Sequence, residues 1–370
     1  MKYQYWFANI ENISNRRKNK MIALGANPME LYNMPEASIK KLAFLNKAIA
    51  GDEAEKIWNS KKTWHLEKEY EQLQKDKIKM TTIGQPDYPS RLKDIYNPPY
   101  CLYVRGTLPN PEKKAVAIVG ARMCSEYGRA MAETLARTLG KGGVEVISGM
   151  ALGIDGAAHL GAIDAGGSTY AVFGCGVSVC YPPRNWELYE KIPQNGAIIS
   201  EFPIKAPPIA HQFPMRNRLI SGLADVTVVI EAKEKSGSLI TADFALDQGK
   251  DIYAVPGRIS DALSQGTNRL IRQGAGILLS AEDFLEELQI FSKKGTINEK
   301  IIKLPIEKFE KLVYSCLDLS PRNVDWLIEQ TALSFTQLVK ALSGLQSLGY
   351  ITEVYKNYYI RTHETYRKIK

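Results

Sequence analysis

The stretch F-P-M-R-N-R-L-I-S-G-L-A-D-V-T-V-V-I-E-A-K-E-K-S-G-S-L-I-T, residues 213–241, decides the fold. It reads as helix, buried strand, then polar loop. Residues 226–230 are β-branched throughout and apolar except for Thr227, which predicts a parallel strand covered on both faces, as in the middle of an α/β sheet. Just before it, Arg216, Asn217 and Arg218 are expected near the start of a short helix. Just after it, Lys235-Ser236-Gly237-Ser238 is expected to open the next one. Helix N-termini with unpaired N–H groups, hydroxyls and adjacent cations suit phosphate oxygens. Two such segments flank one strand.

Outward from this stretch, short apolar runs at 102–104, 115–119, 144–147, 169–173, 197–199 and 252–255 read as further strands. Helical stretches such as 126–139 separate most of them. The alternation predicts a mostly parallel, Rossmann-like sheet with helices on both faces and its strand-end loops along one edge. This core is expected over 81–290. Residues 1–80 read as a small helical domain, with helical spacing at 29–50 and 54–73. Within it, Ile22-Ala-Leu-Gly25 followed by Asn27-Pro28 is either a plain helix end or a helix-turn-helix touching a nucleic-acid backbone. After a linker at 291–303, residues 304–370 read as a winged helix: helices at 306–317, 321–330 and 334–348, then a hairpin at 350–355 and 357–360.

Composition limits the function. The net charge of +8 invites a polyanion partner, but Lys plus Arg against Asp plus Glu number 18 against 12 up to residue 110, 17 against 20 over 111–290, and 13 against 8 beyond. The core is slightly acidic, so a polyanion site there must be a local pocket of aimed cations. The third helix of the winged domain offers one cation, Lys340, where a DNA-reading helix usually offers several, which points that domain toward a protein partner or regulation. No signal pattern and no apolar run near ~20 residues is visible, giving a cytoplasmic expectation without membrane attachment. The five cysteines, Cys101, Cys124, Cys175, Cys180 and Cys316, form no C-x-x-C pair and are expected reduced.

Three candidate constellations carry chemistry. Gly120-Ala-Arg122-Met-Cys-Ser125 sits where a strand passes into a helix; it is either an anion-binding loop or a tight turn with Arg122 solvated. No G-K-[ST] follows it, so it is not a Walker loop, and Gly174-Cys-Gly176 has Val179 where a dinucleotide fingerprint needs its third glycine, so a nicotinamide cofactor is not expected. In Ser148-Gly149-Met-Ala-Leu-Gly-Ile-Asp155-Gly-Ala-Ala-His159, Asp155 suits an N-cap with His159 one turn later; lacking a third ligand, the pair reads as structural rather than metal-binding or acid–base. Glu201 and Glu231, at the sheet's edge, either perform hydrolysis or orient Arg216, Arg218 or Lys235, and the orienting role is preferred.

Taken together, Y-P-x-x-L, the G-A-R loop, S-G-M-A-x-G-I-D-x-x-A-H, Y-P-P-x-N, S-E-F-P, F-P-x-R-N-R, E-A-x-x-x-S-G-S-L-I-T-A, V-P-G and G-x-N-x-L-I resemble the DNA-processing protein A (DprA, or Smf) family, in order across residues 88–276. The resemblance implies a non-enzymatic protein without metal or cofactor. Its Rossmann-like core binds single-stranded DNA, dimerises, protects incoming DNA and loads the RecA recombinase during natural transformation. Carried over by position, the DNA pocket comprises Gly120, Arg122, Ser125, Ser148, Gly149, Arg216, Asn217, Arg218, Lys235, Ser236, Gly237 and Ser238. Two departures stand out: Ala121 replaces a frequent serine, and Lys235 replaces a common arginine, keeping charge but losing the planar fork. The rival is a nucleotide phosphoribohydrolase acting through Glu201 or Glu231. A mere interaction scaffold is a third reading.

Overall fold

The computed structural model of the protein describes residues 1–46, 49, 51–288 and 308–362. The expected linker at 291–303 lies outside them, as do parts of the 29–50 helical spacing and the start of the helix expected at 306–317. The chain divides into two compact units. The first is built on a nine-stranded sheet: β1 (Lys79–Thr82), β2 (Cys101–Gly106), β3 (Ala115–Val119), β4 (Glu145–Ser148), β5 (Thr169–Val172), β6 (Ala197–Ser200), β7 (Val226–Val229), β8 (Asp251–Ala254) and β9 (Gly276–Ile277), in the order β1-β2-β6-β5-β4-β3-β7-β8-β9. From β6 to β9 across the sheet all neighbours are parallel; β2 runs antiparallel to β6, and β1 antiparallel to β2.

The two strands at the extremes, β1 and β9, escaped the sequence reading. The first is K-M-T-T and the second spans two residues, so neither offers an apolar run; each exists because a neighbour presents an edge to pair with. The order of the others fixes the site. From β3 the chain winds outward through β4, β5 and β6, then returns to lay β7 on the opposite side of β3. The carboxyl ends of β3 and β7 therefore flank the point where winding reverses, where doubly wound sheets open a crevice.

Alternation along the strands divides the cores. Ala115, Ala117 and Val119 face the helices Gln212–Leu223 and Gly237–Asp247 through Leu219, Ile220, Leu223, Ala242 and Ala245. Val116 and Ile118 face the helices Glu126–Lys141 and Ile154–Asp164 through Leu135, Leu139, Ala157 and Ala158. Near β2, the N-terminal helices Lys2–Ala8, Asn15–Ala23, Glu36–Asn46 and Gly51–Thr63 bury Trp6, Phe7, Met21, Ile39 and Ile57 together with Tyr100, Tyr103 and Phe173. These helices and the sheet form one unit.

The second unit contains the helices Lys308–Cys316, Val324–Thr331 and Phe335–Ser347 and an antiparallel sheet of β10 (Arg322–Asn323), β11 (Ile351–Tyr355) and β12 (Tyr358–Arg361), ordered β10-β12-β11. Its core is Val313, Leu317, Leu327, Leu338, Leu342, Leu345 and Ile351. A reciprocal cap, Ser334 with Gln337, starts the third helix. Among the described residues no helix is long and apolar enough to cross a membrane.

Candidate functional site

A cavity of about 340 Å³ opens at the switch point, lined by the end of β3 (Val119, Gly120), Arg122, Ala151 and Asp155 after β4, Phe213, Arg216 and Asn217 before β7, and Ser236, Gly237 and Ser238 after it. Seven of the twelve residues singled out from sequence meet there: Gly120, Arg122, Arg216, Asn217, Ser236, Gly237 and Ser238. Ser236 caps the helix Gly237–Asp247, its Oγ accepting the Ser238 N–H at 3.4 Å, and the two hydroxyls lie 2.8 Å apart. The Asn217 side chain donates to the Gly237 carbonyl at 3.3 Å, tying the two halves of the cavity together. First-turn N–H groups of a helix have no intrahelical partner and carry the positive end of its dipole.

Arg216 is the fifth residue of the helix Gln212–Leu223, in its second turn. It is 4% exposed. Its guanidinium donates to the carbonyls of Gly149 (3.2 Å) and Val172, and to Asn217 Oδ1 (3.2 Å). It forms no ion pair among the described residues. Burial pulls its pKa down to about 10 although Asp155 acts in the opposite direction, and Arg122 adds to the depression. Asp155 is buried too, and burial raises its pKa against the pull of Arg216. Rather than capping, as its position suggested, Asp155 sits within the helix Ile154–Asp164, whose N-cap is Gly153, and its carboxylate accepts from the N–H groups of Gly149 (3.1 Å) and Ala151 (3.4 Å). Gly149 is required by close approach: a β-carbon there would stand 2.7 Å from both Arg216 Nη2 and Asp155 Oδ2.

The other candidates are placed differently. Arg218, two positions beyond Arg216, is buried away from the cavity, donating to Glu201 at 2.5 and 2.8 Å, to the Asn97 carbonyl at 3.2 and 3.0 Å and to Met215 O at 2.9 Å. Glu201 also accepts from Asn15 Nδ2 at 2.7 Å, so its carboxylate is held as an orienting group. The Ser148 hydroxyl is buried, donating to Ile118 O at 2.6 Å. Ser125 Oγ accepts the Gly128 N–H at 3.0 Å, bracing the start of its helix. Lys235 is exposed beside the cavity lining rather than part of it. His159 is fully buried; because the Thr169 hydroxyl donates to Val146 O at 3.0 Å, His159 Nδ1 donates to that hydroxyl at 2.7 Å. Burial drives its pKa down to about 3, so it is neutral. Glu231 contributes its backbone carbonyl, which accepts the Ala121 N–H at 2.8 Å.

Aromatic residues at the site were missed. The Phe213 ring lies 5.8 Å from the Arg122 guanidinium and 6.0 Å from that of Arg216. Tyr181 is centred 5.3 Å from Phe213 and is itself 37% exposed, and Trp186 is 56% exposed. Asn185, between Tyr181 and Trp186 in sequence, donates to Met150 O and Ala151 O at 2.9 and 3.1 Å and so ties this segment to the loop that precedes the helix Ile154–Asp164. The Y-P-P-x-N and F-P-x-R-N-R strings carried this signal, but were read for their polar residues. Among the described residues no group of three or more His, Cys, Asp or Glu is placed to hold a metal ion.

Fold and site together define a doubly wound α/β protein with a pocket carrying two arginines at its topological switch point. The model of the family described as DNA recombination-mediator protein A matches residues 79–289, and the chain belongs to that family. It is 39% identical over 225 residues to DNA processing protein DprA of Streptococcus pneumoniae, covering 61% of this chain and 78% of that one. To the Bacillus subtilis protein of the same name it is 41% identical over 212 residues, covering 57% and 71%. The crystal structure of the Streptococcus pneumoniae protein superposes with a TM-score of 0.66 at 32% identity, over 78% of this chain and 98% of that one. DNA processing protein A of Helicobacter pylori, whose structure concerns its single-stranded DNA binding mode, superposes with a TM-score of 0.51 at 31% identity, over 57% and 96%.

Proposed function

We propose that this protein binds single-stranded DNA through the switch-point pocket, without catalysing a reaction, protects incoming DNA and loads the RecA recombinase onto it during natural transformation in the cytoplasm. The observation that carries the reading is Arg216: a buried guanidinium on the wall of an open pocket, bonded to carbonyls but to no carboxylate. Burying an unpaired charge is costly. Asp155 lies near Arg216 without forming an ion pair with it, and a phosphate entering beside Arg122 and the N-terminus of the helix Gly237–Asp247 would add a direct anionic partner. Family membership and the single-stranded DNA binding of the Helicobacter pylori relative support the same reading.

In this reading Arg122 and Lys235 meet phosphates, Arg216 sets the charge of the pocket wall, and Asn217, Ser236, Gly237 and Ser238 hold phosphate oxygens. Gly120, Ser125, Ser148, Gly149 and Arg218 shape the site without touching DNA. Tyr181 and Trp186 are exposed rings on which unstacked bases rest, something a duplex does not offer. Residues 1–80 and 304–370 act as accessory domains, the latter a winged helix facing a protein partner. The working form is a homodimer, for which the outer edge at β9, with Ile277 and Leu279 exposed, provides an apolar surface.

A salt-titrated affinity for oligothymidine against duplex DNA tests the reading. Strong preference for the single strand, with a steep salt slope, is expected. Equal affinity for the duplex overturns it. The hydrolase alternative makes a separate demand, release of free base from nucleoside monophosphates dependent on Glu201 or Glu231, and the pairing of Glu201 with Arg218 speaks against it.

A further inference from the structure

We infer that Phe213 is a positioning residue of the DNA site, holding the Arg122 guanidinium over the pocket so that it meets a phosphate already oriented. The inference rests on the single-stranded DNA reading of the same pocket.

Arg122 is exposed, and no ion pair restrains it among the described residues. A long cationic side chain in that situation is free to extend into water. Its guanidinium is instead found 5.8 Å from the Phe213 ring, within cation–π range, and that of Arg216 lies 6.0 Å from the same ring. The two guanidiniums repel one another, and Arg122 helps depress the pKa of Arg216. The electron-rich face of one ring offsets part of that repulsion while the pocket is empty. The ring itself is seated. It packs on Gly174, where a β-carbon would come within 2.8 Å of Phe213 Cδ1, and against Tyr181 at an interplanar angle of 34°. A half-buried aromatic seated against Gly174 and Tyr181 and lying within 6.0 Å of two like charges is an arrangement for orienting cations. Phe213 acts through Arg122, and its contribution depends on that residue.

The dependence is testable by a double-mutant cycle in the full chain, with affinity for a fluorescent oligothymidine measured by anisotropy at several salt concentrations. Phe213→Leu is expected to weaken binding about two- to fivefold, the worth of an exposed cation–π contact, and to lower the salt slope toward that of Arg122→Ala. Phe213→Tyr, which keeps the ring, should restore most of the affinity. In an Arg122→Ala background Phe213→Leu should have no further effect. Equal losses in both backgrounds, or equal losses for Leu and Tyr, overturn the inference, the first meaning that the ring touches DNA or merely supports the fold. A measurement without DNA separates this idea from the DNA reading. The Arg122 Nε–H resonance, identified by its loss in Arg122→Ala, should be ring-current shifted in the wild type and move to its solvated position in Phe213→Leu. A shifted resonance in a protein that fails to bind oligothymidine refutes the DNA reading and leaves the contact standing; an unshifted one refutes the positioning role even if DNA binds tightly.

Discussion

Replacing Arg218 with Met should damage the fold and not the DNA site. The Arg218 and Glu201 side chains are 5% and 4% exposed, and the guanidinium satisfies both carboxylate oxygens together with the Asn97 and Met215 carbonyls. Without it Glu201 remains buried with a single described side-chain donor, Asn15 Nδ2 at 2.7 Å. Breaking a buried pair from one side costs about 3–5 kcal/mol, a large share of the ~5–15 kcal/mol that holds a typical domain together. Urea unfolding followed by circular dichroism should show that loss as a lower midpoint. Arg218→Met combined with Glu201→Gln removes the stranded charge and should recover part of it. Affinity of the folded protein for oligothymidine should keep its salt slope. A variant within about 1 kcal/mol of wild-type stability whose salt slope falls in magnitude by roughly 0.7 would place the guanidinium on DNA and refute the reasoning.

Arg122→Ala and Lys235→Ala, both at exposed positions, should each weaken single-strand binding and reduce the magnitude of the salt slope by roughly 0.7 per lost phosphate contact, with unchanged unfolding midpoints; unaltered slopes in both remove them from the site. Gly149→Ala places a methyl 2.7 Å from Arg216 Nη2 and Asp155 Oδ2, so it should displace both and weaken DNA binding, and full affinity in this variant would show that Arg216 does not matter to the pocket. His159 has a folded pKa lowered from 6.5 to about 3, so between these values the unfolded chain carries a proton the folded one lacks. Its stability contribution is therefore complete above pH 6.5 and declines below it by up to ~1.36 kcal/mol per pH unit. Unfolding titrations should show the wild type losing stability toward pH 4.5 faster than His159→Gln; parallel curves exclude the effect. Truncation after Ile290 should leave DNA affinity within tenfold, ~1.4 kcal/mol, of the full chain, and a larger loss in the same anisotropy assay would bring the C-terminal unit into the binding site.

The sequence by itself determined the α/β character of the core. The runs 115–119 and 226–230 are too apolar and too β-branched for anything but strands buried on both faces, and they form β3 and β7 nearly to the residue. Glycine- and serine-rich loops after them marked the edge where a site opens. K-M-T-T of β1 and the two-residue β9 carried no such mark, since their pairing energy resides in the neighbour. Sequence also could not say that β7 lies beside β3 rather than β6, the adjacency that creates the pocket, because it arises from a crossover closing over more than a hundred residues. The R-N-R string shows the division most sharply. Residues two apart on a helix point roughly 200° away from each other, so Arg216 and Arg218 were bound to part company. Which one would face the pocket and which would pair with a carboxylate depended on Glu201 arriving from the end of β6 on one side of the helix and the Gly149 carbonyl arriving after β4 on the other. Tertiary packing alone supplies those partners, since a guanidinium's role is set by the charge brought against it and not by its own identity.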